Sequence, residues 1–324
     1  MSSMSATASR PESSVIVPVY GNADHIAALV ERLEHLHAAI PGGIEAVIVV
    51  DASPDDSLER LSERLPDARF PSRLLTLARN FGSFAAIRAG LEAASGRYFA
   101  VMAADLQEPA SLIETMLETL REDRADVVVG TRNSRRDPWT SRLSSRIFWG
   151  LNRRLIEPAI PSGGVDVFGC NRAFRERLLA FTEAHSSLIG QIFWLGFRRV
   201  EVPYDRAERL SGRSGWSWRA RLKYLSDSLF AFSDIPIRLF TLIGLFGLIV
   251  SIVLAIAVVG ARLSGAIEVP GYAATVVTIV FFSGLNLFGL GVIGSYVWRT
   301  FENTKQRPLA VVMHSRDYSG GTGP

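Results

Sequence analysis

Two long stretches without a charged residue constrain this chain more than any other feature. One runs from Leu239 to Ala261, the other from Val269 to Trp298. A helix rises ~1.5 Å per residue and a bilayer's hydrocarbon core is ~30 Å thick, so about 20 apolar residues suffice to cross it. Both stretches are long enough, with room for tilt, and core helices rarely stay uncharged all round at such length. They predict a two-helix transmembrane anchor over residues 239–298. Basic residues near the ends set the orientation. Arg219, Arg221, Lys223 and Arg238 precede the first span, and Arg299, Lys305, Arg307 and Arg316 follow the second. The connecting loop holds only Arg262, with Glu268. The expectation is a multi-pass protein of the cell (inner) membrane, its loop outside, its large N-terminal part and its tail (299–324) in the cytoplasm.

The rest of the composition narrows the class. Residues 1–12 are rich in Ser and Ala without an apolar core, which predicts a disordered leader rather than a signal peptide. Cys170 is the single cysteine, so no intrachain disulfide can form, which suits a reducing compartment. A formal charge of +3 fits an anionic surface or anionic ligands and does not single out nucleic acid, which is not expected as a partner. The five His residues show no metal-ligand spacing.

From residue 14 onward, short apolar runs alternate with helical patterns. Strands are expected at 14–19, 46–51, 74–78, 98–103 and 126–130, and helices at 23–39, 55–65, 83–94 and 110–121. This rhythm predicts an α/β fold, with a mainly parallel sheet and helices on both faces. Ligands then bind beyond the carboxyl ends of the strands, where Asp51, Arg79, Asn80 and Asp105 fall. Past Gly130 a basic segment runs from Arg132 to Arg154 around Trp139, Phe148 and Trp149, and 200–203 reads as a late strand. Ser214 to Phe232 places Trp216, Trp218, Leu222, Tyr224, Leu225 and Leu229 among basic residues, the pattern of an interfacial helix. The organisation read is a domain over 13–212, a juxtamembrane amphipathic segment over 213–238, the anchor and the tail. Ser319 to Pro324 is Gly-rich and reads as disordered.

Four segments occur in order: Ser14-Val-Ile-Val-Pro-Val-Tyr-Gly-Asn22, Val50-Asp-Ala-Ser-Pro-Asp55, Arg79-Asn-Phe-Gly82 and Ala104-Asp-Leu-Gln-Glu-Pro109. Together they resemble the family 2 glycosyltransferases of the Rossmann-like GT-A fold. Within it they are most similar to the polyprenyl-phosphate group that includes dolichol-phosphate mannose synthase. Each segment alone is weak, and the ordered combination is strong. The likeness extends through the anchor to Lys305-Gln-Arg-Pro-Leu309. It implies inverting transfer of a sugar from a UDP- or GDP-sugar to a polyprenyl phosphate, with Mg²⁺ or Mn²⁺. A homo-oligomer is compatible with the polar Asn286 inside the second span.

The resemblance also implies roles. Asp51 would accept hydrogen bonds from a base or ribose, with Pro18 and Tyr20 walling the base and Arg79 completing the donor site. The alternative for Asp51 is a turn or cap at the following helix, for which Ser53-Pro-Asp-Asp56 is a good start. Asp105 and Gln107 would hold the cation that neutralises the leaving diphosphate, and the alternative is a helix cap. Asp166 would face the acceptor as base, or else bond nearby loop amides. Arg206, Arg209, Arg213 and Ser214 would grip phosphate, since guanidinium forks match its oxygens; a plain basic linker is the alternative. Gly82 opens a helix whose amides could bind an anion, or simply permits close packing. The family usually has an acid where Val50 and Ala103 stand, an Arg at Phe168 and a Lys at Gly215. Those departures motivate a second hypothesis, a non-catalytic nucleotide-binding scaffold of the same fold. A processive polysaccharide synthase is disfavoured, because Gln191-Ile-Phe-Trp194 lacks the Gln-X-X-Arg-Trp pattern.

Overall fold

The chain forms an eight-stranded sheet in the computed structural model, which describes residues 11–132, 165–183, 186–205, 235–264 and 271–321. The strands are β1 (Ser13–Val19), β2 (Ile44–Val50), β3 (Ser72–Leu77), β4 (Tyr98–Val101), β5 (Val127–Arg132), β6 (Val165–Asn171), β7 (Arg199–Tyr204) and β8 (Val312–Tyr318). Their spatial order is β7-β5-β6-β4-β1-β2-β3-β8. The helices are α1 (Ile26–Ala39), α2 (Ser57–Arg64), α3 (Ser83–Ala93), α4 (Ala110–Arg121), α5 (Arg172–Leu179), α6 (Leu188–Trp194), α7 (Ile235–Leu263) and α8 (Tyr272–Thr304).

The period of two along a strand sorts the core into two faces. On β1, Val15, Val17 and Val19 join Leu29, Leu33 and Leu61 under α1 and α2. Ile16 points the other way, into a cluster with Val49, Phe99 and Phe174. There α3 lies close because its inner face is small: a Cβ on Gly90 would fall 2.5 Å from Ile16 Cγ2. Phe70, Phe99 and Phe174 are fully buried, and truncating such a ring typically costs about 3–5 kcal/mol.

Helices on both faces match the α/β expectation. The strand pairings are more mixed than the sequence rhythm indicates. β1 pairs with β2 and β4, β2 with β3, and β5 with β7, all parallel. β6 inserts antiparallel between β4 and β5, and β8 adds antiparallel to β3. The tail is therefore corrected: 299–324 is not simply a trailing segment, since Val312–Tyr318 completes the sheet and Gly321 N donates to Ala68 O. An Arg73 Nε–Asp317 Oδ1 pair at 2.6 Å fastens this strand.

The chain divides into two compact units, the sheet with its helices and a unit that contains α7 and α8. In the second, a Cβ on Gly289 of α8 would collide with the Phe240 ring of α7, so that glycine permits the close approach of the pair. Among the described residues one segment, Phe281–Thr304, is long and apolar enough to cross a membrane. It overlaps the second span expected from the sequence and lies nearer the C-terminus. The first expected span falls within α7, which is helical throughout. The amphipathic stretch expected over Ser214 to Phe232 and the basic segment after Arg132 lie outside the described residues.

Candidate active site

Parallel pairing of β1, β2 and β4 brings their carboxyl ends to one edge of the sheet, and β3 follows beside β2. The residues just past those ends are Tyr20, Asp51, Arg79 and Asp105. β6 runs opposite to β4, so its first residues, Val165 and Asp166, lie toward the edge where β4 finishes. One edge thus gathers the backbone positions of four of the five residues read as binding the donor, with the fifth, Pro18, half-buried within β1.

Asp51 is 3% exposed. Its Oδ1 accepts from Phe81 N and its Oδ2 from Gly82 N, both at 2.7 Å. Those amides belong to the turn that opens α3, where Gly82 has φ 94°. An N-terminal helix turn attracts an anion, and here the anion is the Asp51 carboxylate itself. The cap considered for Asp51 at the Ser53-Pro-Asp-Asp56 start is not made: its carboxylate bonds the Phe81 and Gly82 amides just before α3 and not α2. A carboxylate offers about four lone-pair sites, so two amides do not exhaust it.

The job of starting α2 falls to Asp55, which the sequence reading did not single out. Asp55 Oδ1 accepts from Ser53 Oγ and Ser57 Oγ at 2.6 Å each, and from Ser57 N at 3.2 Å. Its Oδ2 accepts from Ala23 N at 2.9 Å, across to the β1–α1 turn. Burial pushes the Asp55 carboxyl up, and the bonds from Ser53, Ser57 and Ala23 outweigh it, holding the group at about 2. Tyr20 stands on the same turn with its side chain half exposed.

Asp105 ends the β4 side. It is half-buried, and Oδ1 lies 3.4 Å from Gln107 N. Leu106 between them has φ 57°, a left-handed conformation that costs a branched side chain roughly 1–2 kcal/mol. Ala52, directly after Asp51, has φ 47°. Strained residues beside polar strand ends are a recurrent mark of functional sites, and neither is visible in residue type. Gln107 is 6% exposed, less open than a ligand facing solvent would be. Among the described residues no group of three or more His, Cys, Asp or Glu could hold a metal ion. A lone Asp105 still fits a cation that arrives with a diphosphate, because Mg²⁺ keeps water and phosphate oxygens and needs only one or two carboxylates.

Arg79 is exposed, its guanidinium 4.1 Å from the centre of the Phe81 ring. Cys170 is fully buried and burial pushes its thiol up, which removes it as a nucleophile. Asp166 lies in β6, with its side chain outside what is described, and Arg206, Arg209, Arg213 and Ser214 fall outside the described residues altogether.

Residues 14–181, more than half of the chain, match the model of glycosyl transferase family 2. A glycosyltransferase of Synechocystis sp. is 30% identical over 93% of this chain and 94% of its own length. A bactoprenol glucosyl transferase of Shigella phage SfV is 29% identical, with coverage of 94% of this chain and 98% of that one. Among solved structures, a mannosyltransferase of Pyrobaculum calidifontis in complex with GDP-Man and Mn²⁺ is similar at 18% identity, with a TM-score of 0.49 over 91% of this chain and 87% of that one. The ordered strand-end residues and the family match agree, and the chain belongs to glycosyl transferase family 2.

Proposed function

We propose that this glycosyltransferase moves a sugar, with inversion, from a UDP- or GDP-sugar to a polyprenyl phosphate at the cytoplasmic face of a cell membrane. The observation that carries the reading is the likeness to a bactoprenol glucosyl transferase over nearly the whole of both chains, the apolar C-terminal helices included. A likeness confined to the sheet would speak for the donor half alone.

In this reading Tyr20 and Pro18 wall the base, and Asp51 contacts the nucleoside with the lone pairs its two amides leave. Arg79, exposed beside them, reaches the diphosphate. Asp105 would hold Mg²⁺ or Mn²⁺, whose chemistry when bound would be to neutralise the charge that develops on the leaving diphosphate. Gln107 is the weaker ligand because it is buried. Asp166 is assigned to the acceptor as base. A lipid phosphate is already anionic at neutral pH, so a modest carboxylate suffices to orient it and take a residual proton. Arg206, Arg209, Arg213 and Ser214 supply the phosphate grip.

Topology supports a paired anchor. The chain leaves the sheet after β7 and rejoins it at β8. An open sheet edge does not pass through hydrocarbon, so the sheet stays on one side. Any crossings between β7 and β8 then come in even number. α8 contains one crossing segment, and α7, charged only at Arg238 and Arg262, supplies its partner.

Purified protein supplied with undecaprenyl phosphate, Mg²⁺ or Mn²⁺ and a panel of UDP- and GDP-sugars is expected to form a glycolipid from one donor. No product from any of them sinks the reading. If binding of a nucleotide survives without transfer, the scaffold hypothesis takes its place.

A further inference from the structure

The proposed donor site is built on two separate turns, and something must hold them in register. The β1–α1 turn presents Tyr20, and the β2–α2 turn presents Asp51. Asp51 N donates to Val19 O at 3.0 Å where the strands end, and beyond that bond three more join the β1–α1 turn to the segment from Ser53 to Arg60. Gly21 N donates to Ser53 Oγ at 2.8 Å, Ala23 N donates to Asp55 Oδ2 at 2.9 Å, and Arg60 Nη1 donates to Ala23 O at 3.0 Å. The first two depend on one carboxylate. Ionised Asp55 can only accept, so the single hydrogen of Ser53 Oγ points to it, and a Ser53 lone pair is thereby turned toward Gly21 N. Gly21 is left-handed at φ 68°, the bend that lets its N–H reach across. The Ser57 hydroxyl also donates to Asp55, but it lies on α2 and makes no bond to the β1 turn.

We infer that Asp55 is a positioning residue for the nucleotide donor: through Ser53 Oγ and Ala23 N it sets the separation between the Tyr20 ring and the Asp51 carboxylate, and so the slot for the base. This rests on the donor-site reading given above and adds to it a residue that touches no substrate. Because Asp55 stays ionised far below neutral pH, the bridge is not a pH switch in the working range; it is a fixed brace.

The test is a comparison of Asp55→Asn, Ser53→Ala and Ser57→Ala in the full-length protein. The probes are UDP and GDP with Mg²⁺ by calorimetry, followed by steady-state transfer to undecaprenyl phosphate. Asp55→Asn should raise the donor KM and the nucleotide Kd on the order of tenfold, because a charge-assisted bridge is lost. Acceptor KM and kcat at saturating donor should change by less than about twofold. Ser53→Ala should move the donor KM in the same direction by about threefold, and keeps the test alive should Asp55→Asn not fold. Ser57→Ala should leave donor KM as it is, although it too removes a bond to Asp55. A merely structural role would lower thermal stability in all three without a selective rise in donor KM, and that outcome overturns the inference. Nucleotide binding weakened by Tyr20→Ala but untouched by Asp55→Asn and Ser53→Ala overturns it while leaving the donor site intact. No nucleotide binding by the unaltered protein overturns both.

Discussion

The ends of β2 and β4 carry one local pattern and put it to different uses. An aspartate followed by a left-handed residue that is not glycine comes directly after β2 and four residues after β4: Asp51 then Ala52 at φ 47°, Asp105 then Leu106 at φ 57°. At the β2 end the carboxylate is buried and both oxygens are engaged by the Phe81 and Gly82 amides just before α3. At the β4 end the carboxylate is half-exposed. The first aspartate shapes a loop. The second leaves its carboxylate more open, as its proposed role toward a cation and a diphosphate requires. Equal chemistry at equivalent places therefore does not imply equal roles, and the backbone partners tell them apart.

The sharpest attempt to break this contrast is Asp105→Ala. Transfer should fall on the order of a hundredfold or more, since a positioned charge at the leaving group is lost, while the thermal midpoint stays close to that of the parent. A large fall in the midpoint would make Asp105 another architectural carboxylate. Asp51→Ala should behave in the opposite sense. It strands the Phe81 and Gly82 amides, so stability should drop by about 2–4 kcal/mol in denaturant titration, and activity should fall with it. Unchanged stability there would mean that Asp51 serves the ligand alone.

Smaller effects refine the same comparison. Ala52→Gly removes left-handed strain with almost no loss of packing, and should be neutral or stabilising by up to about 1 kcal/mol. Leu106→Gly gains the same relief but loses a side chain packed against the core, so it should come out less favourable in the same titration. The last test is pH. Asp55 sits at about 2 in the folded protein, below the usual carboxylate value of about 4 for an unfolded chain. A depressed folded value means its stabilisation is present above pH ~4 and is lost as pH falls toward ~2. Acid titrations of the parent and Asp55→Asn, followed by circular dichroism, should converge over that interval. Curves that stay parallel would mean the bonds to Asp55 contribute nothing.

The strand–helix units up to Gly130 are legible in sequence because each strand is a continuous apolar run and breakers such as Gly96 punctuate the helices. β6 is not, since Val165–Asn171 mixes Asp166, Gly169 and Asn171 among apolar residues. Gly169 is needed there because a Cβ would lie 3.0 Å from the Phe99 carbonyl oxygen, a constraint set by a distant strand. β8 is harder still. Its residues are almost all exposed, and a polar edge strand has no hydrophobic pattern to betray it. Of the site, the strand-end positions of Asp51, Arg79 and Asp105 could be read from spacing. The Phe81 and Gly82 amides that hold Asp51 come from 30 and 31 residues along the chain, and a bond at that separation leaves no local signature. Asp55 was visible only as part of a plausible helix start, and its reach to Ala23 appears once the two turns are side by side.

The last strand of the sheet is also the last to be synthesised. The ribosome delivers Val312–Tyr318 only after both apolar helices have emerged. Until then β3 has its outer edge bare, with Leu74, Leu75 and Leu77 in the strand. Nascent domains with an open apolar edge are prone to misassembly. A chain that stops after Thr304 would keep every helix and every candidate site residue and still be left with that edge unsealed. Loss of this strand would thus show itself as aggregation of the sheet unit, far along the sequence from the cut.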